Sequence, residues 1–302
     1  MCIRDRLLSA AIRAFVRRRR WGDEATLVRR ARGRFGAPAL YGALMSIGVR
    51  REHVAIDGIS GEWNVPPRLQ PGVILYVHGG GFCSCSPHTH RPIVAALARY
   101  SRRRVLNLEY RLAPEHRFPA ALDDVEAAYG FLRATVGANE AIALAGDSAG
   151  GNLVLGLALR LSRRGHPGPS CVVAFSPWTD LAVTGASARA NDDADDMFCY
   201  ENLADFAAVY LGGQSAVAPD ASPVYADFGR MPPVLLHVGA SELLLDDATR
   251  VHAHMLARNR SSHLEVYDGV THCWQMLVPW VPEAAQSLRA AAEFIVEHDR
   301  AN

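Results

Sequence analysis

Short apolar runs alternate with helical segments through most of the chain, and this alternation restricts the fold more than any other feature. Each run is only about five residues long and lies between turn residues, which is typical of a strand buried on both faces. The predicted strands are Val73–Val77, Arg104–Leu108, Ala141–Ala145, Cys171–Phe175, Val234–Val238 and Leu264–Tyr267. The predicted helices that follow some of them are Asp123–Thr135, Asn152–Arg164 and Pro282–His298. Strands that alternate with helices form a mostly parallel sheet covered on both faces, so the sequence predicts an α/β fold.

Two regions stand outside this alternation. Residues 7–20 and 25–47 combine helical spacing of apolar positions with arginines, which predicts two amphipathic helices. Residues 183–222 carry an acidic run at Asp192–Asp196 and a helical stretch at Glu201–Leu211, so we expect an inserted lid that pairs with the N-terminal helices. The expected division is residues 1–47 as N-terminal cap helices, residues 48–182 and 223–302 as the main α/β domain, and residues 183–222 as a cap insertion.

The charge composition excludes several classes of protein. The formal net charge of +1 gives no general attraction to nucleic acid or to acidic membranes. All 32 basic residues are arginine, and the absence of lysine excludes a Schiff base, a Ser-Lys dyad and a P-loop lysine. The hydrophobic fraction of 49% and the length of 302 residues are those of a globular chain with a large core.

Cysteine use and the N-terminal residues predict a cytoplasmic protein. The six cysteines match no zinc-binding spacing and include no CxxC pair, so we expect free thiols in a reducing compartment. Leu7–Val16 is apolar, but Arg13 interrupts it and Arg17–Arg20 follows it, the reverse of a secretory signal. No run reaches the roughly 20 apolar residues of a membrane span. We therefore expect no stable membrane insertion, while a helix that lies on a membrane surface stays open.

A predicted strand leads directly into Gly146-Asp147-Ser148-Ala149-Gly150, and a predicted helix begins there. A G-x-S-x-G run in this context forms a sharp turn that exposes the serine oxygen above the strand end. Glycine is expected at the flanking positions because a side chain there would collide with neighbouring elements. The helix N-terminus adds a positive dipole near that oxygen. A plain strand–helix turn is the alternative. We predict that Ser148 is a catalytic nucleophile.

A run of glycines, His78-Gly79-Gly80-Gly81-Phe82, follows the first predicted strand. Successive glycines expose backbone N–H groups that can stabilise an oxyanion, with the N–H of Ala149 as a further donor. A phosphate-binding loop is the alternative, but it would need a helix directly after the glycines and usually a lysine. His78 itself is expected to be structural.

The general base and its acid are expected late in the chain, because chains with such a serine turn carry the acid and then the histidine after it. His272 lies in a turn after the last predicted strand and is the predicted base, whereas His237 lies within a strand. Glu242 is the predicted acid because it comes first in the loop after the fifth predicted strand. Asp246 and Asp247 are the alternatives, and both also suit the first turn of a helix.

Together these residues resemble the hormone-sensitive lipase family of esterases, the bacterial family IV group of the α/β-hydrolase superfamily. The matching motifs, in order, are HGGGF at 78–82, Tyr110-Arg111-Leu112-Ala113-Pro114-Glu115, GDSAGG at 146–151 and the late histidine. The resemblance covers roughly residues 50–300. It implies an α/β-hydrolase fold with a helical cap, an oxyanion hole at Gly80, Gly81 and Ala149, and no cofactor. Most members carry Asp-Pro-Leu at the acid, where this chain has Glu242-Leu243-Leu244, and a subset uses glutamate.

These expectations combine into a carboxylesterase that hydrolyses short- to medium-chain esters through Ser148, His272 and Glu242 and an acyl-enzyme. Side chains near the motifs are candidates to bind substrate: Phe82, Trp178, Phe198, Tyr225, Trp274 and Met276. An amidase, a formamidase or a lactone hydrolase would use the same site, and a ligand receptor without activity normally lacks the histidine. The expected partner is a small-molecule ester, with no nucleic acid and no metal, and a homodimer is left open.

Overall fold

The computed structural model describes residues 10–17, 22–137 and 140–299. The strands are β1 (Arg50–Ile56), β2 (Ile59–Val65), β3 (Val73–Val77), β4 (Arg104–Glu109), β5 (Ile142–Asp147), β6 (Val172–Phe175), β7 (Val234–Gly239) and β8 (Ser262–Tyr267). They form one eight-stranded sheet in the order β1-β2-β4-β3-β5-β6-β7-β8. The pairs β1–β2 and β2–β4 are antiparallel, and all the other neighbours are parallel. The predicted α/β class with a mostly parallel sheet is therefore confirmed.

Helices cover both faces of this sheet. They are α1 (Glu24–Arg34), α2 (Ala39–Met45), α3 (Arg91–Ser101), α4 (Ala120–Thr135), α5 (Ala149–Arg164), α6 (Ser187–Ala190), α7 (Tyr200–Leu211), α8 (Leu245–Ala257) and α9 (Pro282–Asp299). Residues 10–15 are also helical, and single 3-10 turns lie at Pro223–Tyr225 and Trp274–Leu277. Among the described residues, no helix combines the length and the apolar character needed to cross a membrane.

The N-terminal helices differ from their prediction in one respect. The expected helix over 25–47 is two helices, because Gly36 adopts a φ of 86° and Pro38 stands at the N-cap of α2. A proline has no backbone N–H to continue a helix, and a glycine favours this left-handed conformation. Of the other predicted helix, residues 7–9 and 18–20 lie outside the described residues.

The hairpin of β1 and β2 is not among the predicted strands. Asp57 and Gly58 connect the two strands with φ values of 42° and 88°, and Ile56 pairs with Ile59. Positive φ at both turn residues is what a two-residue type I′ turn requires, and Asp-Gly is a common sequence for it. Most side chains of β1 are exposed, so this strand lacks the apolar run by which the others were predicted.

Side chains of the buried strands divide between two cores on opposite faces of the sheet. Val73, Leu75 and Val77 of β3 pack into one core, together with side chains of α4, α5 and α8. Ile74 and Tyr76 of the same strand pack into the other, with side chains of α3 and α9. Because both faces are covered, strands such as β3 and β6 are buried at every position rather than at alternate ones.

Three loops meet at one edge of the sheet. The turn after β5 carries Ser148, the loop after β7 carries Glu242, and the loop after β8 carries His272. Because these strands are parallel, their carboxyl ends lie at the same edge, where the sites of open α/β sheets are found. The fold thus brings together residues that are far apart in the chain.

The N-terminal segment contacts the insertion between β6 and β7. Nε of Arg13 donates a hydrogen bond to Oδ1 of Asp196 at 2.7 Å, and another guanidinium nitrogen donates to the carbonyl oxygens of Asp193 and Ala194 at 2.8 and 2.9 Å. Nε of Arg17 donates to the carbonyl oxygen of Phe198 at 3.1 Å. Arginines of the N-terminal segment therefore bind the acidic run of the insertion.

Candidate active site

Two glycines make possible the turn that carries Ser148. Ser148 adopts φ 53° and ψ −118°, and a non-glycine residue held in such a region costs on the order of 1–3 kcal/mol. A Cβ atom on Gly146 would lie 2.6 Å from the backbone of Gly150, and one on Gly150 would lie 1.9 Å from the carbonyl oxygen of Val77. Neither position accepts a side chain, so the glycines are a steric requirement of the turn.

The glycine loop after β3 lies against this turn. Gly80 and Gly81 have φ values of 114° and 61°, and a Cβ on Gly80 would lie 2.3 Å from the carbonyl oxygen of Ser84. Both glycines line the same cavity as Ser148, and Ala149 begins α5 directly after Ser148. The structure therefore brings the glycine loop and the start of α5 to the same place as Ser148.

Asp147 is buried beneath Ser148 and joins three segments. Its Oδ1 accepts hydrogen bonds from the Tyr76 hydroxyl at 2.6 Å and from the Gly79 N–H at 3.1 Å, and its Oδ2 lies 3.1 Å from Nε2 of His90. Burial opposes ionisation of this carboxyl, but the electrostatic interaction and hydrogen bond with His90 and the hydrogen bond from Tyr76 outweigh it and lower its pKa to about 2. An ionised Asp147 therefore fixes the glycine loop against the serine turn.

Two histidines named in the sequence analysis lie in the interior. Nδ1 of His78 donates to the carbonyl oxygen of Gly79 at 2.8 Å, and its ring stacks on Tyr110 with centroids 4.4 Å apart. Nδ1 of His237 lies 2.7 Å from the Ser287 hydroxyl. Burial lowers the pKa of His78 to about 3 and that of His237 to about 4. Both rings are therefore neutral near pH 7, and neither lines the cavity at Ser148.

His272 and Glu242 form a buried pair. Nδ1 of His272 lies 2.6 Å from Oε2 of Glu242, and Oε1 of Glu242 accepts hydrogen bonds from the Ser176 hydroxyl at 2.7 Å and the Gly239 N–H at 2.6 Å. Burial disfavours the charged imidazole, but the charge and hydrogen bond of Glu242, with the more distant charge of Asp195, outweigh it and raise the pKa of His272. Because Nδ1 is engaged by Glu242, the ring presents Nε2 to a reacting group.

Asp246 and Asp247, the alternatives to Glu242 as partner of His272, bond to other loops. Oδ1 of Asp247 accepts hydrogen bonds from the N–H groups of Thr179 and Asp180 at 2.6 and 2.8 Å. Oδ2 of Asp246 accepts one from the N–H of Ser187 at 3.0 Å. Both aspartates lie in the first turn of α8, where a carboxylate also interacts favourably with the helix dipole.

A cavity of about 190 Å³ lies at Ser148 and His272. Its apolar walls come from the N-terminal segment, from the insertion and from the loop after β8. These side chains are Ile12, Val16, Phe35, Met197, Phe198, Met276 and Leu277. Ser148 and His272 therefore line an apolar space to which both predicted cap regions contribute.

Four of the six predicted substrate-binding side chains do not line this cavity. Phe198 and Met276 do. The four whose side chains lie elsewhere are Phe82, Trp178, Tyr225 and Trp274. The ring of Phe82 stacks on Tyr210 at 3.8 Å and neighbours that of Trp178 at 5.8 Å, Trp274 is fully buried in the second core, and the Tyr225 hydroxyl donates to Asp180 at 2.9 Å. Phe82, Trp178 and Trp274 therefore lie in the interior, and none of the four side chains lies in the wall of the cavity at Ser148.

The sequence analysis did not single out the cavity residues of the N-terminal segment. Ile12 and Val16 are four positions apart, the spacing that places two side chains on one face of a helix, and this spacing could have named them. Phe35 lies in the break between α1 and α2, where periodicity gives no signal. His90, the partner of Asp147, also lines the cavity, and no motif marks it in the sequence.

Two thiols lie in the cavity wall, those of Cys85 and Cys273. Burial raises the pKa of Cys85 to about 12, and burial with the nearby charges of Asp147 and Glu242 raises the pKa of Cys273 well above its usual range. A protonated thiol is a weak nucleophile because the thiolate is the reactive form. Neither cysteine therefore competes with Ser148 near neutral pH.

A strained serine turn at the carboxyl edge of a parallel sheet is typical of the α/β-hydrolase class, and a family model described as an alpha/beta hydrolase fold matches residues 74–276. An acetyl-hydrolase from Streptomyces hygroscopicus is 34% identical over 242 residues, which cover 80% of this chain and 81% of the relative. An esterase from Acinetobacter venetianus is 34% identical over 247 residues, 82% of each chain. A crystal structure of an esterase from the bacterial hormone-sensitive lipase family is 35% identical, with a TM-score of 0.88 and 99% of each chain covered.

The chain belongs to the hormone-sensitive lipase family of α/β hydrolases, and the resemblance seen in its motifs is confirmed. The esterases and the acetyl-hydrolase among its relatives show that it is a carboxylic ester hydrolase.

Proposed function

We propose that the chain is a carboxylesterase in which Ser148 is the nucleophile, His272 the general base and Glu242 the acid of the triad. The contact of 2.6 Å between Nδ1 of His272 and Oε2 of Glu242, beside a cavity that Ser148 also lines, carries this proposal. The carboxylate holds the imidazole in the tautomer with hydrogen on Nδ1, so that Nε2 can take a proton.

The reaction has two halves. Ser148 attacks the ester carbonyl while Nε2 of His272 takes the hydroxyl proton, and the N–H groups of Gly80, Gly81 and Ala149 stabilise the resulting oxyanion. The tetrahedral intermediate expels the alcohol, which receives the proton from His272, and an acyl-enzyme remains. Water, activated by His272, then attacks the acyl-enzyme and releases the carboxylic acid and Ser148.

The preferred acyl groups are short to medium, of about two to eight carbons. Each buried methylene stabilises a complex by about 0.8 kcal/mol, provided that the site has room for it. A cavity of about 190 Å³ is smaller than the range of about 300–1,000 Å³ common for drug-sized ligands. Long acyl chains would therefore leave methylenes outside the apolar walls.

The cap is formed by residues 1–47 and 183–222, around the domain of residues 48–182 and 223–302. Arg13 and Arg17 support this division, because both bind residues of the insertion. The cytoplasmic location and the homodimer stay predictions. Light scattering after size-exclusion chromatography would test the homodimer.

The nucleophile is tested by Ser148→Ala, with Ser162→Ala on the same helix as its control. Ser148→Ala should lower kcat by about 10⁴-fold or more with the fold intact, whereas Ser162→Ala should keep the wild-type rate. A tenth of the wild-type activity in Ser148→Ala would refute the assignment. Matched butyrate esters and amides, and a lactone of similar size, separate an esterase from the amidase and lactonase alternatives through their kcat/KM ratios.

A further inference from the structure

A third buried carboxylate lies behind the His272–Glu242 pair, on the insertion. Asp195 is 2% exposed. Its Oδ1 accepts hydrogen bonds from the N–H groups of Met197 and Phe198 at 2.7 and 2.9 Å, and its Oδ2 accepts one from the N–H of Leu243 at 2.9 Å. One side chain therefore bonds the insertion to the residue that directly follows Glu242.

A second side chain of the insertion holds the same loop. Nδ2 of Asn191 donates to the carbonyl oxygens of Ala240 and Glu242 at 3.1 and 2.8 Å. Side chains of the insertion thus hold the backbone both before and after Glu242. The Ser187 hydroxyl adds a further bond from the insertion, since it donates to the carbonyl oxygen of Leu243 at 2.8 Å.

The insertion also contacts the histidine of the pair. The ring of Phe198, whose N–H bonds to Asp195, stands edge-on to the ring of His272 with centroids 5.2 Å apart and an angle of 74°. Asp195 therefore bonds both to the loop that carries Glu242 and to Phe198, whose ring packs against His272.

The carboxylate of Asp195 adds to the charge around His272. The carboxylates with the largest effect on His272 are Glu242, Asp195 and Asp147. Burial raises the pKa of Asp195, but three backbone N–H groups favour its ionised form. An ionised Asp195 makes the protonated imidazole more stable, and its loss would make His272 easier to deprotonate.

We propose that Asp195 is a positioning residue of the esterase reaction. It holds the Glu242 loop so that Glu242 stays bonded to His272, and it makes this arrangement depend on how the cap insertion packs against the loop. The inference rests on the proposed triad. Asp195 acts through Glu242 and His272, and the proposal gives it no contact with the substrate.

The direct test is Asp195→Asn in the full chain. An asparagine keeps an oxygen for Met197 and Phe198 but turns an NH₂ group toward the N–H of Leu243, so that two donors face each other. We expect kcat to fall by about 10- to 100-fold, as for other small misplacements of catalytic groups, and KM to change by less than about threefold. The acidic limb of the kcat/KM profile should move to lower pH, because a negative charge near His272 is removed.

Asp196→Asn is the matched control, since it removes the neighbouring carboxylate, which pairs with Arg13 at 2.7 Å. It should alter KM at most and leave kcat and the acidic limb in place. Asn191→Ala removes one of the neutral side chains that bond to the same loop, so it should lower kcat without moving the acidic limb.

An Asp195→Asn variant with wild-type kcat and a wild-type acidic limb would overturn the proposal. Should that variant not fold, as judged by circular dichroism, Asp195→Glu decides, because it keeps the charge but displaces the carboxylate, and a wild-type kcat would overturn the proposal. Ser148→Ala and Glu242→Gln in the same assay separate a failure of the proposed triad from a failure of the proposed role of Asp195. Activity in Ser148→Ala would reject the triad itself, whereas two inactive triad variants beside an unaffected Asp195→Asn would reject the role of Asp195 alone.

Discussion

Gly150 lies so close to Val77 that a Cβ atom on it would come within 1.9 Å of the Val77 carbonyl oxygen. Strand β3 and the first turn of α5 are in contact there through backbone alone. This close approach sets the position of α5 relative to the sheet. It therefore also sets the position of Ser148 relative to the glycine loop. The second glycine of the motif is therefore a packing residue.

Gly150→Ala should consequently prevent folding or leave a protein of much lower stability. Neither Val77 nor Gly150 can yield by rotating a side chain, so the backbone of a central strand or of α5 would have to move. Gly156→Ala in the same helix is the control, because a Cβ there meets nothing nearer than 3.6 Å. It should raise stability by about 0.5–1 kcal/mol, since alanine loses less entropy than glycine in a helix. Urea denaturation of both variants measures the contrast, and a stable Gly150→Ala would contradict it.

The pH dependence of kcat/KM should follow His272, whose pKa the charge of Glu242 raises against the effect of burial. A general base must be neutral, so activity should rise as the pH increases through that pKa. Glu242→Gln removes the largest favourable interaction of the charged ring, so the acidic limb should move to lower pH. The rate should also fall by about 10²–10⁴-fold, because an amide can favour the wrong histidine tautomer.

Asp246→Asn and Asp247→Asn are the controls for this prediction, because both carboxylates bond to loop N–H groups and not to His272. Each should cost less than about tenfold in kcat. An Asp246 or Asp247 variant with the larger loss, beside a nearly active Glu242→Gln, would show that the acid of the triad is misassigned.

The central sheet and the serine turn could be predicted because local chemistry decides them. Strand β3 is apolar at every position and buried at every position, so its sequence and its environment agree. The close approach at Gly146 and Gly150 allows no residue with a side chain, so the two glycines in the sequence predict the sharp turn at Ser148. Hairpin β1–β2 gave no such signal, since it lies at the sheet edge with exposed side chains.

The side chains that line the cavity were harder to predict, because an aromatic residue beside a motif can lie in the core or in a cavity wall. Phe82 follows the glycine loop directly, yet its ring lies in the interior on Tyr210. Phe35 lies more than forty positions before that loop, yet it lines the cavity. Which of the two lines the cavity depends on how the N-terminal segment packs over the sheet, and local sequence does not encode that packing.

Arg13→Gln should loosen the N-terminal segment from the insertion. Arg13 makes the ion pair with Asp196 and bonds to two carbonyl oxygens, and its neighbour Ile12 lines the cavity. A part-exposed ion pair contributes about 0–1 kcal/mol, so KM for a butyrate ester should rise by about two- to fivefold at unchanged kcat. Arg29→Gln, at an exposed arginine that bonds to Thr26 in its own helix, should leave KM unchanged. Equal KM values in the two variants would show that the contact has no part in substrate binding.

Phe35→Ala should shift the preference of the enzyme toward longer acyl chains. The ring of Phe35 lies 5.9 Å from the rings of both Phe198 and Phe206 and forms part of the cavity wall. Its removal opens space beside an apolar wall, and each further methylene that enters is worth about 0.8 kcal/mol, or roughly fourfold in kcat/KM. A series of p-nitrophenyl esters from acetate to decanoate would show the ratio of octanoate to acetate turnover rising by about tenfold or more. Phe15→Ala is the control, since Phe15 is 73% exposed and outside the cavity lining. An octanoate-to-acetate ratio equal to that of Phe15→Ala would mean that another wall limits the acyl chain.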